Sequence, residues 1–118
     1  MSDAAIRQRA ARELAEILDD RIFKALCEPA RIGIVRLLIA RGCCDLGALA
    51  AEMPQDASVV SRHLALLHEA GVVRREKRGR HVFFELDGPA VVERIEGILA
   101  RFRRVVPLCC PQPKEKRT

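Results

Sequence analysis

Apolar residues recur every three or four positions along most of the chain, and the rhythm changes only over 72–86. Ile6, Ala10, Leu14, Ile17 and Leu18 fall on one face of a helix over about 4–18. A second helical stretch covers 20–26, and Glu28-Pro29 interrupts it. Pro29 suits the first turn of the next helix, where its missing N–H would be unpaired in any case. That helix, over 30–40, carries Ile32, Ile34, Val35, Leu37 and Leu38, and Gly42 closes it. Asp45 can cap a short helix over 46–52, and Met53-Pro54-Gln55-Asp56 reads as a turn. Asp56 or Ser58 then caps a helix reaching Ala70, with Val60, Leu64 and Leu67 on its inner face and Gly71 just past its end. Two helices joined by a turn of about four residues predict a helix-turn-helix unit.

The pattern then turns β. Val72, Val73, Val82, Phe83 and Phe84 have the branched and aromatic content of strands, which are expected over 72–76 and 81–86. Lys77-Arg78-Gly79-Arg80 joins them, and Gly79 supplies the turn. A hairpin directly after a helix-turn-helix is a wing. Asp87-Gly88-Pro89 breaks the second strand, and a last amphipathic helix follows over 90–105, stopped by Pro107. The tail at 111–118 is polar and proline-containing and is expected to be disordered, so that 1–110 form one domain. The fold expected is mainly α with a small β-hairpin, a winged helix-turn-helix.

Composition sharpens this picture at three points. With 118 residues, no Trp, no Tyr and four Phe, the core must be aliphatic, and a chain this small gains burial by dimerising. The net charge of +5 and a pI near 9.3 favour a polyanionic partner, and Arg74, Arg75, Lys77, Arg78 and Arg80 concentrate the excess at the hairpin. No apolar run is long enough to span a membrane, and the charged stretch 1–20 does not read as a signal peptide, so the protein is expected in a reducing cytoplasm. Its five Cys then read as thiolate ligands or redox sensors rather than disulfides, with Cys27 taken as a small core residue.

A recognition helix sends short polar or basic side chains into the major groove near its N-terminus. Gln55, Ser58, Ser61, Arg62 and His63 occupy those positions, while Arg78, Arg80 and His81 on the hairpin are placed to meet phosphates or the minor groove. Phe23-Lys24-Ala25-Leu26-Cys27-Glu28-Pro29-Ala30-Arg31, Cys44-Asp45-Leu46, Ser61-Arg62-His63-Leu64-Ala65-Leu66-Leu67 and Glu69-Ala70-Gly71-Val72-Val73 together resemble the ArsR/SmtB family of winged-helix repressors. The resemblance covers about 22–86. It implies a dimer paired through the first and last helices, and repression of an operon until an inducer weakens the hold on double-stranded operator DNA.

The inducer chemistry is read from the cysteines. Cys43 and Cys44 precede Asp45, and Cys109 and Cys110 follow the last helix. Thiolates favour soft ions such as As(III), Sb(III), Cd(II) or Pb(II), and Cys44 with Cys109 and Cys110 would make a three-sulfur set. The family's metal motif spaces two cysteines one residue apart, whereas here they adjoin. There is no His after His81, so the family's last-helix zinc site is absent. No cofactor is called for. The alternative is a repressor switched by oxidation or persulfide linkage of one early and one late cysteine. An enzyme is disfavoured, because His63 and His81 lie on the DNA-reading surface and no phosphate loop or paired-carboxylate motif appears. A nucleoid protein without an inducer would share the basic hairpin and lack preference for an operator.

Overall fold

The computed structural model describes residues 2–110, and the tail expected to be disordered lies outside them. The elements are α1 (Asp3–Leu18), α2 (Arg21–Leu26), α3 (Pro29–Arg41), β1 (Cys44–Asp45), α4 (Leu46–Ala51), α5 (Ala57–Glu69), β2 (Val73–Arg78), β3 (His81–Leu86) and α6 (Gly88–Cys109). They form two compact units. One is Arg21–Val92, and the other joins residues 2–20 to 93–110.

The Arg21–Val92 unit holds the winged helix. Ile22, Ile34, Leu38, Leu49, Val60, Leu64, Leu67 and Val72 are almost wholly removed from water and make its aliphatic core. Asp45 begins α4 as expected, its Oδ1 accepting the Ala48 N–H at 2.9 Å. Asp56 occupies the N-cap position of α5 in extended backbone, but only its carbonyl bonds into the helix, accepting the N–H groups of Val59 and Val60 at 3.0 Å. At the other end of α5 the Gly71 N–H reaches the His68 carbonyl at 3.0 Å and the Val72 N–H the Leu67 carbonyl at 2.9 Å. This pair of bonds is a Schellman motif, and it requires the positive φ of 80° that Gly71 adopts. Buried Val72 then anchors the start of the hairpin.

The sheet has three antiparallel strands in the order β1-β3-β2. Gly42, at φ 80° and ψ −131°, turns the chain out of α3 in a conformation open only to glycine. Cys44 and Asp45 can then pair with Phe84 and Phe83. No apolar alternation announces this two-residue strand, and the sequence pattern does not reveal it. The hairpin is tighter than expected. Arg78 pairs with His81, so only Gly79 and Arg80 form the turn. Gly79 alone has positive φ, at 62°, which is the type II′ pattern. The register sets Cys44, Phe84 and Arg75 in one row across the three strands.

In the second unit α1 begins with Ser2 accepting the Ala5 N–H and buries Ala10 and Ile17, while α6 buries Ile98 and Val105. The two run antiparallel. Arg94 near the start of α6 holds Asp20, after the end of α1, through Nε at 3.0 and 3.2 Å and Nη2 at 3.0 Å. At the opposite end Asp3, Ile6 and Arg7 share a cavity with Pro107, Leu108, Cys109 and Cys110.

Two expectations are corrected. Pro107 does not stop the last helix, which continues to Cys109, with the Cys110 N–H on the Val106 carbonyl at 2.8 Å. A proline in the final turn forfeits a single intrahelical bond, the one its N–H would make to the Arg103 carbonyl, and Arg103 is exposed. Cys27 is not a core residue. It is exposed beyond α2, its Sγ donating to the Lys24 carbonyl at 3.1 Å.

Candidate nucleic-acid interface

Val60, Leu64 and Leu67 fix which side of α5 faces the core. The opposite side carries Ser58, Ser61, Arg62 and Ala65, all exposed and spaced by three or four residues. Of the positions expected to read DNA, Ser58, Ser61 and Arg62 therefore share one accessible stripe. Gln55 stands before the helix, half-buried, and its Oε1 is enclosed without a donor among the described residues. His63 lies on the flank of the stripe, half-buried, with Nδ1 at 3.1 Å from Nη1 of Arg31.

The hairpin sorts its cations by strand alternation. Arg74, Glu76 and Arg78 point to one face, and Arg75 and Lys77 to the other. On the first face Arg74 pairs with Glu85 at 2.8 Å, and Arg78 pairs with Glu76 at 2.6 Å while its guanidinium stacks 4.7 Å from the Phe83 ring centre. Arg75, Lys77 and Arg80 are exposed and have no carboxylate partner among the described residues. Arg75 and Ser61 line one cleft of about 370 Å³, together with Leu46, Ala65, His68 and Phe84. Expected wing residues thus divide. Arg80 is open, Arg78 is engaged by its own strand, and His81 sits with Nδ1 3.4 Å from Asp45 Oδ2. Arg75 and Lys77 belong with the open cations, and the sequence, which counts them in the hairpin's basic cluster, does not single them out as contacts. The signal was present, since placing Gly79 first in a two-residue turn sets the register that opposes Arg74 to Glu85.

The cysteines occupy different settings. Cys43 is exposed and adjoins Arg74, Arg75, Glu76, Phe83 and Glu85 around a cavity of about 350 Å³. Cys44 is buried in the sheet, and burial pushes its thiol above the usual 9.0, against the opposing pull of Arg41. In the other unit Cys109 and Cys110 place their Sγ atoms 3.4 Å apart. That contact, with burial, raises the Cys109 thiol, and Arg7 works in the opposite direction. Among the described residues no three His, Cys, Asp or Glu side chains gather into a metal-binding group. The described helices also include none long and apolar enough to cross a membrane.

Residues 26–76 match the helix-turn-helix domain family. The chain is 37% identical over 70 residues to the arsenical resistance operon repressor of Escherichia coli, an overlap of 59% of this chain and 60% of that repressor, less than two thirds of its length. It is 32% identical over 89 residues, 75% of each chain, to an uncharacterized HTH-type transcriptional regulator of Mycobacterium tuberculosis. Among solved structures, the crystal structure of a possible transcriptional regulator for arsenical resistance superposes with a TM-score of 0.60 at 29% identity, over 80% of this chain and 98% of that one. The matched family and these relatives are transcriptional regulators rather than enzymes. The chain belongs to the ArsR/SmtB family of winged helix-turn-helix transcriptional regulators.

Proposed function

We propose that the protein is a homodimeric repressor that holds operator DNA through α5 and the hairpin, and lets go when a thiophilic metal or metalloid of the As(III)/Sb(III) type meets its cysteine thiolates. The observation that carries the DNA half is the pairing of the stripe Ser58, Ser61, Arg62 and Ala65 with three hairpin cations that lack carboxylate partners among the described residues. Ser61 and Arg62 would address base edges and phosphates in the major groove, and Arg75, Lys77 and Arg80 the flanking phosphates. Dimerisation is supported by Val92, Ile95 and Leu99, which leave one side of α6 apolar and about half exposed.

The inducer half is supported by the Cys109–Cys110 contact, a two-sulfur seat suited to a soft ion, and by similarity to the arsenical resistance repressor. A three-sulfur set is not assembled among the described residues, so no release step is derived through a bound ion. The exposure of Cys43 beside hairpin arginines favours a second reading, in which modification of a thiol by an oxidant or persulfide causes release.

One titration tests both readings. A labelled promoter duplex is released from the protein by As(III), Sb(III), Cd(II) or a persulfide donor in parallel. We expect the Cys109→Ser/Cys110→Ser double variant to bind the duplex as the parent does and to resist release by As(III). Normal As(III) release from that variant overturns the C-terminal site. Absence of salt-sensitive duplex binding by the parent overturns the repressor reading itself.

A further inference from the structure

Arg31 belongs to α3, outside the helix-turn-helix pair, yet all three of its guanidinium nitrogens are engaged with other elements. Nε donates to the Ala25 carbonyl at 2.6 Å, and Nη2 to the Lys24 carbonyl at 3.2 Å. Both carbonyls lie in the last turn of α2, where no intrahelical donor remains for them. Nη1 meets Nδ1 of His63 on α5 at 3.1 Å. A guanidinium can only donate, so Nδ1 accepts and the ring proton of His63 stands on Nε2. The two ring nitrogens face opposite sides of the imidazole, so the Nε2–H is directed away from Arg31. His63 directly follows Arg62 and flanks the exposed stripe of α5.

We propose that Arg31 is a positioning residue for DNA recognition. By donating to Nδ1 it holds the His63 ring in one orientation and one tautomer, and α5 thereby offers a single Nε2–H donor to a phosphate oxygen or a base-edge acceptor. Arg31 acts through His63 rather than by touching DNA, its Nε, Nη1 and Nη2 each spending one N–H within the protein. The same three bonds tie the end of α2 to the flank of the recognition helix, which fixes the ring relative to the core. The proposal rests on the operator-binding reading above and adds to it a residue that the DNA never touches.

The test is a double-mutant cycle on the full chain, with a promoter duplex titrated at several salt concentrations. Arg31→Ala and His63→Ala should each weaken binding about tenfold, with the double variant no weaker than either single. The dependence of affinity on salt should be unchanged in Arg31→Ala, since no phosphate contact is lost. Losses that multiply to about 100-fold in the double variant overturn the proposal. So does a shallower salt dependence in Arg31→Ala, which would mark Arg31 as a phosphate ligand. Because Arg31→Ala also uncaps α2, a second measurement uses the parent protein alone. Its imidazole ¹⁵N spectrum should show His63 as the Nε2–H tautomer, and an Nδ1–H or averaged pattern sinks the idea. A parent protein that fails to bind the duplex brings down the operator reading and this proposal together. A parent that binds, with an additive cycle, removes only the role of Arg31.

Discussion

Adding one methyl group to Gly71 and the same methyl to Gly97 should move stability in opposite directions. Gly71 ends α5 at φ 80°, and a Cβ built there meets nothing within 4 Å. Packing therefore contributes no penalty, and the whole effect is local backbone energy. Holding an L-residue in the left-handed region costs about 1–2 kcal/mol. Alanine recovers about 0.4–1 kcal/mol of this, because its unfolded chain has less freedom to lose. The net is a loss of about 1 kcal/mol. Gly97 sits in the middle of α6, outside the positive-φ set, and its Cβ likewise meets nothing within 4 Å. There alanine gains about 1 kcal/mol as the better helix former. The two variants should differ by about 2 kcal/mol, which at a urea m-value of about 2 kcal/mol/M separates their midpoints by about 1 M. Far-ultraviolet circular dichroism in urea reads this out, with protomer concentration held fixed because association adds to apparent stability. Midpoints that shift in the same direction, or a Gly71→Ala midpoint above the parent's, would refute the argument.

Further outcomes follow from the site and the core. Lys77→Ala or Arg75→Ala should flatten the salt dependence of duplex binding by about two in a dimer, one contact per protomer, whereas Arg74→Ala, whose charge is already matched by Glu85, should change it little. Iodoacetamide, which attacks thiolates, should label exposed Cys43 well before buried Cys44 at pH 8. The sign follows from burial, which favours the neutral Cys44 thiol and lifts it above 9.0, so that Cys44 gains reactivity only as the pH rises past that value. Equal labelling rates at pH 8, followed by mass spectrometry, would contradict that placement. Leu64→Ala empties a fully buried position and should cost about 2–5 kcal/mol by urea melt, and a loss below about 1 kcal/mol would mean that the core closes over the gap.

Much of this fold could be read from spacing, and the misses share a cause. Val60, Leu64 and Leu67 declare the inner face of α5 because burial imposes the helical period, and Gly71 and Gly79 declare their turns because positive φ excludes other residues. Ser58, Ser61 and Arg62 follow as the opposite face. Features that depend on a partner far along the chain were not legible. The strand at Cys44-Asp45 exists only because β3 returns beside it, and its first rung, Cys44↔Phe84, joins residues 40 positions apart. The engagement of His63 by Arg31 spans 32 residues and leaves no periodic trace. Cys27 reads as apolar by type, and its exposure is decided by where α2 stops.

The row Cys44–Phe84–Arg75 makes the sheet a stiff plate with a thiol at one margin and a cation at the other. Strands stand about 4.8 Å apart, so the two backbones are separated by only about 9.6 Å of hydrogen-bonded ladder. The cysteine doublet thus lies two strand spacings from a hairpin cation, within a single hydrogen-bonded ladder.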